Sequence, residues 1–325
     1  MKTIAIEEHF ITPMYRQKVA ANEFRNFYLS SRSEQIGHDI VEQNSDLGAK
    51  RLAHMDAAGI DVQVLSFGSP GPQGFGADVA IPMAKDANDL AHEAVKAHPD
   101  RFAAFAALPT ADPGAAAEEL ERCVTRLGFK GAMIHGLTNG VFHDDKRFWP
   151  IYERAQALDV PLYMHPGIPQ PAIIETYYKE YIQQYPNILR AAWGFTVETA
   201  TQAIRLILGG VFEAHPRLKI ILGHLGEGLP FYLWRINMGL TRDGAAPNWF
   251  RDTFCEHFWI TTSGFFSDPA LICCMMEMGV DRILFSVDYP FVLNPPGAEW
   301  IKTLPLSGED QAKLLSGNVK RLLKM

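Results

Sequence analysis

The feature that most limits the fold is an alternation that runs the length of the chain. Short β-like runs recur at 3–6, 62–66, 102–106, 132–135, 162–165, 220–223, 259–262 and 283–287, eight in all. Between them lie amphipathic segments near 49–58, 84–97, 113–127, 148–158, 197–214, 229–240 and 269–278, with apolar residues three and four apart. Several end in helix-stop signals, as at Ala58-Gly59, His98-Pro99-Asp100, Leu127-Gly128 and His215-Pro216. Strands that alternate with helices pair in parallel through right-handed crossovers, and eight of them predict a closed (β/α)8 TIM barrel, an α/β fold in one domain over residues 1–325. The runner-up is an open doubly wound sheet, which the absence of G-x-G-x-x-G after the first run weakens. Segments 10–47 and 167–196 break the repeat and are expected as long loop insertions at the C-terminal face.

Composition narrows the function classes. Thirty Lys+Arg against 37 Asp+Glu give a net charge of -7, which offers no basic footprint for nucleic acid or an anionic membrane surface. Charged residues interrupt the apolar runs well before the ~18 residues of a membrane span, and the N-terminal residues carry no export signal. The expected location is cytoplasmic. The four cysteines (Cys123, Cys255, Cys273, Cys274) show no C-x-x-C spacing and are read as reduced, mostly buried thiols.

Chemistry collects at the strand ends. Glu7 and His9 close the first run and His165 the fifth; His224 follows the sixth and Asp288 the eighth. All five would meet at the carboxyl-end mouth of a barrel. Residues two apart on a strand share a face, so Glu7 and His9 point into one site. Carboxylates and imidazoles together are donors suited to Zn2+ or Mn2+. Each also has a plainer reading: a satisfied core histidine, a strand terminator at His165, a helix N-terminus at His224 with Glu227 opposing the dipole. His135 ends the fourth run and should also face the mouth. His38, His54, His92, His98, His143, His215 and His257 read as surface, helix or cap residues. Phe27, Trp193, Phe195 and Phe291 are candidates for aromatic walls, or plain packing residues. Arg51 and Arg235 are candidates to neutralise a polar group of a ligand, or structural ion-pair partners.

The segments Ile6-Glu7-Glu8-His9-Phe10, Met164-His165-Pro166, Gly223-His224-Leu225-Gly226-Glu227 and Phe285-Ser286-Val287-Asp288-Tyr289-Pro290 resemble the amidohydrolase-related metal-dependent decarboxylases, in particular those acting on γ-resorcylate and 2,3-dihydroxybenzoate. The likeness spans nearly the whole chain. It implies a (β/α)8 barrel that holds one divalent metal through Glu7, His9, His165 and Asp288. It also implies His224 as the active-site imidazole held by Glu227, and Asp288 as the proton donor. Glu-x-His in place of the His-x-His of hydrolytic relatives favours the decarboxylase branch. His135 stands where such proteins usually carry Asn beside the substrate. The expected activity is non-oxidative decarboxylation of a hydroxylated benzoate to a phenol and CO2, with no organic cofactor. The alternatives are a metal-dependent hydrolase of a small ester, lactone or amide, or a non-catalytic barrel. The family's usual assembly implies a homotetramer or homodimer, for which 231–238 and 271–278 are candidate interface segments.

Overall fold

The computed structural model describes residues 2–19, 33, 34, 37, 39–241 and 243–325. Its strands are β1 (Ile4–Phe10), β2 (Val62–Phe67), β3 (Phe102–Ala104), β4 (Ala106–Ala107), β5 (Ala132–His135), β6 (Leu162–His165), β7 (Ile220–Leu222), β8 (Phe258–Thr261) and β9 (Ile283–Leu284). Every pairing is parallel and sequential, in two ladders, β1-β2-β3 and β4 through β9. β3 and β4 form one barrel strand: the Phe105 amide still donates to the Leu65 carbonyl, while the Ala106 amide donates to Gly131 on the other side. With β3 and β4 counted together, the chain forms the eight strands of a (β/α)8 barrel.

Strand alternation sorts the side chains into two layers. Ile4, Ile6, Val62, Val64, Phe105, Met133, Tyr163, Ile221 and Leu284 fill the barrel interior. Ala5, Leu65, Phe67, Ile134, Met164 and Leu222 face the helices. Val319, Leu322 and Leu323 of the last helix (Asn318–Leu323) join the inner cluster and close the end away from the strand carboxyl ends.

The seam between β9 and β1 is held largely by side chains. The Glu8 carboxyl accepts from the amides of Val287 (3.0 Å) and Tyr289 (3.3 Å) and from the Ser286 hydroxyl (3.2 Å). The Glu7 amide donates to Ser286 Oγ (2.8 Å) and the His9 amide to the Tyr289 carbonyl (2.7 Å).

Several helix boundaries differ from the expectation. The segment expected at 84–97 is the helix Ala77–Ala97, which continues through Pro82. The segment expected at 197–214 is two helices, Gly194–Leu208 and Val211–Ala214, parted at Gly210 with φ of 75°. Trp249–His257 is a helix that the sequence reading left out. The described residues within 10–47 and 167–196 include short helices, Pro13–Val19, Ile40–Ser45, Pro171–Ile173 and Pro186–Leu189. No helix among the described residues is long and apolar enough to cross a membrane.

Candidate active site

A bulge sets up the site. β1 pairs Ala5 with Gln63 but Glu8 with Leu65, so three steps on β1 match two on β2. Strict alternation after Ile4 and Ile6 would turn Glu8 inward and Glu7 and His9 out to the helices. The extra residue reverses the phase. Glu7 and His9 face the interior, and Glu8 enters the seam.

The inward residues converge with two other strand ends. One ligand atom each from Glu7, His9, His165 and Asp288 lies within 4.8 Å of the others. Glu7 Oε1 is 3.3 Å from His165 Nε2, and His9 Nε2 is 3.2 Å from Asp288 Oδ1. Glu7 Oε1, His9 Nε2 and Asp288 Oδ1 are all buried without a hydrogen bond of acceptable geometry. Three orphaned polar atoms aimed at one point are costly unless something occupies that point. Two carboxylates and two imidazoles, compactly placed, are donors that fit one divalent cation.

The second contacts of these groups fix their orientation. Glu7 Oε2 accepts from the Tyr163 hydroxyl, and Tyr163 also pairs with Thr261 Oγ1 at 2.9 Å. His9 Nδ1 meets Ser66 Oγ at 3.2 Å, which leaves Nε2 for the cluster. Burial by itself would raise the Glu7 carboxyl; the charge of His224 and the close approach of the His165 and His9 imidazoles hold it well below the usual range. Burial would likewise lower His9, but its contacts with Asp288 and Glu7 raise it to about 9. The carboxylates and imidazoles of the cluster thus stabilise each other's charged forms.

His224 and Glu227 come from an unusual turn. Residues 224–228 all have positive φ, from 48° at His224 to 75° at Gly228. The turn is left-handed, not the helix N-terminus that the sequence also allowed. Gly226 is required there, since a Cβ at its φ of +74° would lie 2.9 Å from Ile260. Non-glycine residues in this region cost on the order of 1–3 kcal/mol each and gather at functional sites. The turn brings His224 Nδ1 to 2.7 Å from Glu227 Oε1, so Nδ1–H donates to the carboxylate and Nε2 lies 3.8 Å from Glu7. Burial opposes a charge on His224, but the charges of Glu227 and Glu7 raise it to about 10.

Above the cluster opens a cavity of about 450 Å3, lined among others by Trp193, Phe195, Phe265, Phe291, His224 and Asp288. The Phe291 ring sits 5.6 Å from that of His9, and Phe195 6.4 Å from His165. Of the residues proposed from sequence, Glu7, His9, His165, Asp288, His224, Glu227, Trp193, Phe195 and Phe291 therefore meet at one place. Phe27 lies outside the described residues, as does His38.

Other expectations need correction. Arg235 is exposed on the helix Leu229–Gly239 and does not line the cavity of its own chain. Arg51 is fully buried; it donates to the Asp46 carbonyl at 2.9 Å and to that of His9, and its guanidinium lies 4.8 Å over Tyr289, so it braces β1 and makes no ion pair among the described residues. His135 is buried behind His165 and lines no part of the cavity; burial, and then the neighbouring His165, hold its imidazole well below the ordinary range. His143, His215 and His257 are buried; His257 ends the helix Trp249–His257 and His215 caps Val211–Ala214, as expected, while His143 is a core residue stacked 4.4 Å from Phe148.

Sequence reasoning overlooked Glu8, Tyr163 and Phe265. Tyr163 was detectable, because it precedes His165 by two on one strand and must share its face. Phe265 follows the seventh run and belongs to the same ring of strand-end loops. The alternation that sets Glu7 and His9 on one face sets Glu8 on the other, but nothing in the sequence names the partners it meets there.

The amidohydrolase family profile matches residues 35–325. The γ-resorcylate decarboxylase of Rhizobium radiobacter is 39% identical over 99% of this chain and 98% of its own. A crystal structure of 2,6-dihydroxybenzoate decarboxylase complexed with 2,6-dihydroxybenzoate superposes with a TM-score of 0.88 at 38% identity, covering 100% of both chains. The dihydroxybenzoic acid decarboxylase of Polaromonas sp. JS666, with bound manganese and the inhibitor 2-nitroresorcinol, gives 0.89 at 38% identity over 99% of this chain and 97% of its own. Matched in sequence and in fold over nearly its whole length, the chain belongs to the amidohydrolase family.

Proposed function

We propose that this protein is a metal-dependent, non-oxidative decarboxylase of a benzoate with a hydroxyl ortho to its carboxylate, releasing CO2 and a phenol. The observation that carries this reading is the convergence of three orphaned donor atoms, on Glu7, His9 and Asp288, beneath an aromatic-walled cavity that presents a positively charged His224. Relatives named for dihydroxybenzoate decarboxylation at 38–39% identity support it.

Glu7, His9, His165 and Asp288 would hold one divalent cation, Mn2+ or Zn2+. Bound there, the cation supplies charge stabilisation for an anionic substrate without redox change. The chain's own residues do the rest. Trp193, Phe195, Phe265 and Phe291 enclose a planar ring and exclude water. The His224 imidazolium donates from Nε2 to a substrate oxygen, while Glu227 fixes its orientation through Nδ1. Asp288 directs Oδ1 to the donor cluster and, when protonated, gives its proton to the ring carbon that bears the carboxylate. The carbon–carboxylate bond then breaks, its electron pair restores the aromatic ring, CO2 leaves, and Asp288 regains a proton from solvent.

The reaction class is tested in D2O with a panel of hydroxybenzoates. Deuterium should appear at the carbon that lost CO2, and only ortho-hydroxy acids should react. Solvent 18O in an acid product, with no gas released and no ring deuteration, would reject decarboxylation in favour of hydrolysis.

The same reading takes residues 1–325 as one domain and places a second copy of the chain against an apolar face. The helices Leu229–Gly239 and Asp268–Met278 lie side by side and expose Phe231 (74%), Trp234 (67%) and Met276 (79%), with Met238 and Ile272 beside them. A self-complementary apolar patch closes as a symmetric homodimer, or a homotetramer built from such pairs. Sedimentation of the parent and of Trp234→Asp is the test: the substitution should yield monomer, and a monomeric parent would refute the assembly.

A further inference from the structure

Parallel register places His135 and His165 side by side on β5 and β6. Their rings lie 4.5 Å apart at 60°, and the two Nδ1 atoms are 2.9 Å apart. One of these atoms must donate to the other. The other end of His135 decides which. Its Nε2 lies 2.7 Å from the Phe67 carbonyl, and a carbonyl only accepts, so Nε2 carries the proton. A neutral imidazole has one proton, and among the described residues no carboxylate is hydrogen-bonded to His135 to favour a second. Its Nδ1 is therefore bare.

It follows that His165 Nδ1–H is the donor, shared between His135 Nδ1 and the Pro166 carbonyl at 2.8 Å. The proton on Nδ1 leaves His165 Nε2 with its lone pair directed at the donor cluster, 3.3 Å from Glu7 Oε1. We infer that His135 is a positioning residue for the metal site: it holds His165 in the tautomer and ring orientation that a metal ligand requires. Imidazole ligands are generally held by an acceptor at the far nitrogen, and losing that acceptor weakens metal binding. Here the acceptors are the Pro166 carbonyl and a second imidazole, the latter anchored to the end of β2. The inference rests on the metal reading proposed above.

The test measures Mn2+ affinity by chelator competition for the parent, His135→Leu and His135→Asn, with thermal unfolding recorded for each. Leucine fills the space without an acceptor, whereas the asparagine amide oxygen is attached to Cγ as Nδ1 is and can accept from His165. The leucine chain should bind Mn2+ more weakly by a factor on the order of 10 to 100, and the asparagine chain should stay close to the parent. A leucine chain that binds as tightly as the parent, or an asparagine chain as weak as leucine, would overturn the inference while leaving the metal reading intact. A parent that takes up no Mn2+ would overturn both. Should the leucine chain not fold, 15N shifts of His135 and His165 in the metal-free parent decide: a proton on His165 Nδ1 with His135 Nδ1 bare supports the inference, and a proton on His135 Nδ1 or on His165 Nε2 refutes it.

Discussion

Glu227→Gln isolates the charge that acts on His224. In the parent, the carboxylate accepts the Nδ1–H at 2.7 Å in a buried setting, and its charge is the largest influence raising the imidazole, which stands at about 10. The charge centres of such a pair lie about 4 Å apart, where an effective dielectric of ~20 gives ~4 kcal/mol, or ~3 pK units. The glutamine amide oxygen keeps the hydrogen bond but not the charge, so we expect His224 to fall by roughly 2–3 units. The assay is kcat/KM for a hydroxybenzoate from about pH 6 to pH 10, where the alkaline limb of the variant should be displaced downward by that amount. Near pH 6 the two proteins should approach each other, and near pH 9 the variant should be slower by about 10- to 100-fold. A bound cation shares the Glu7 charge, so the displacement between the two profiles is the measurement, not either limb alone. Stability carries the same sign. A raised folded-state pKa contributes stability that is complete below the ordinary imidazole value of ~6.5 and is lost as pH rises to about 10. The difference in thermal midpoint between parent and variant should therefore shrink across that window. Coincident alkaline limbs would refute the assignment of His224 as a cation sustained by Glu227.

Exhaustive chelation should abolish decarboxylation, and add-back of Mn2+ or Zn2+ should restore it at one ion per chain by metal analysis; full activity without metal would end the metal reading. His135→Asn should leave the order of kcat/KM among hydroxybenzoates unchanged, because His135 sits behind His165 and both its ring nitrogens are engaged; a reordered panel would put it back in contact with substrate. Glu8→Ala should lower the thermal midpoint by several degrees, since the Val287 and Tyr289 amides lose their acceptor at about 1–3 kcal/mol for each buried donor left unsatisfied. Calorimetry that finds no change would mean that the seam is held by the strands alone.

The sequence by itself determined the order of strands, the layer in which most side chains lie, and the collection of Glu7, His9, His165, His224 and Asp288 at one end of the fold. These follow from local periodicity, which two residues per strand repeat and 3.6 per helical turn impose whatever the rest of the chain does. The partners of those residues were a different matter. The bulge that turns Glu7 inward exists only in the pairing of β1 with β2, since neither strand alone records how many residues face how many. The role of Glu8 needs β9, some 280 positions away, to bring the Val287 and Tyr289 amides against it. His135 reads as a mouth residue until β6 sets His165 beside it and the end of β2 offers a carbonyl to its far nitrogen. Arg235 falls on the exposed side of a helix whose rotation is set by the packing of Leu229 and Leu233 into the core. Local pattern fixes the face on which a side chain starts. What it meets there is decided by contacts between segments far apart in sequence, and those form only when the barrel closes.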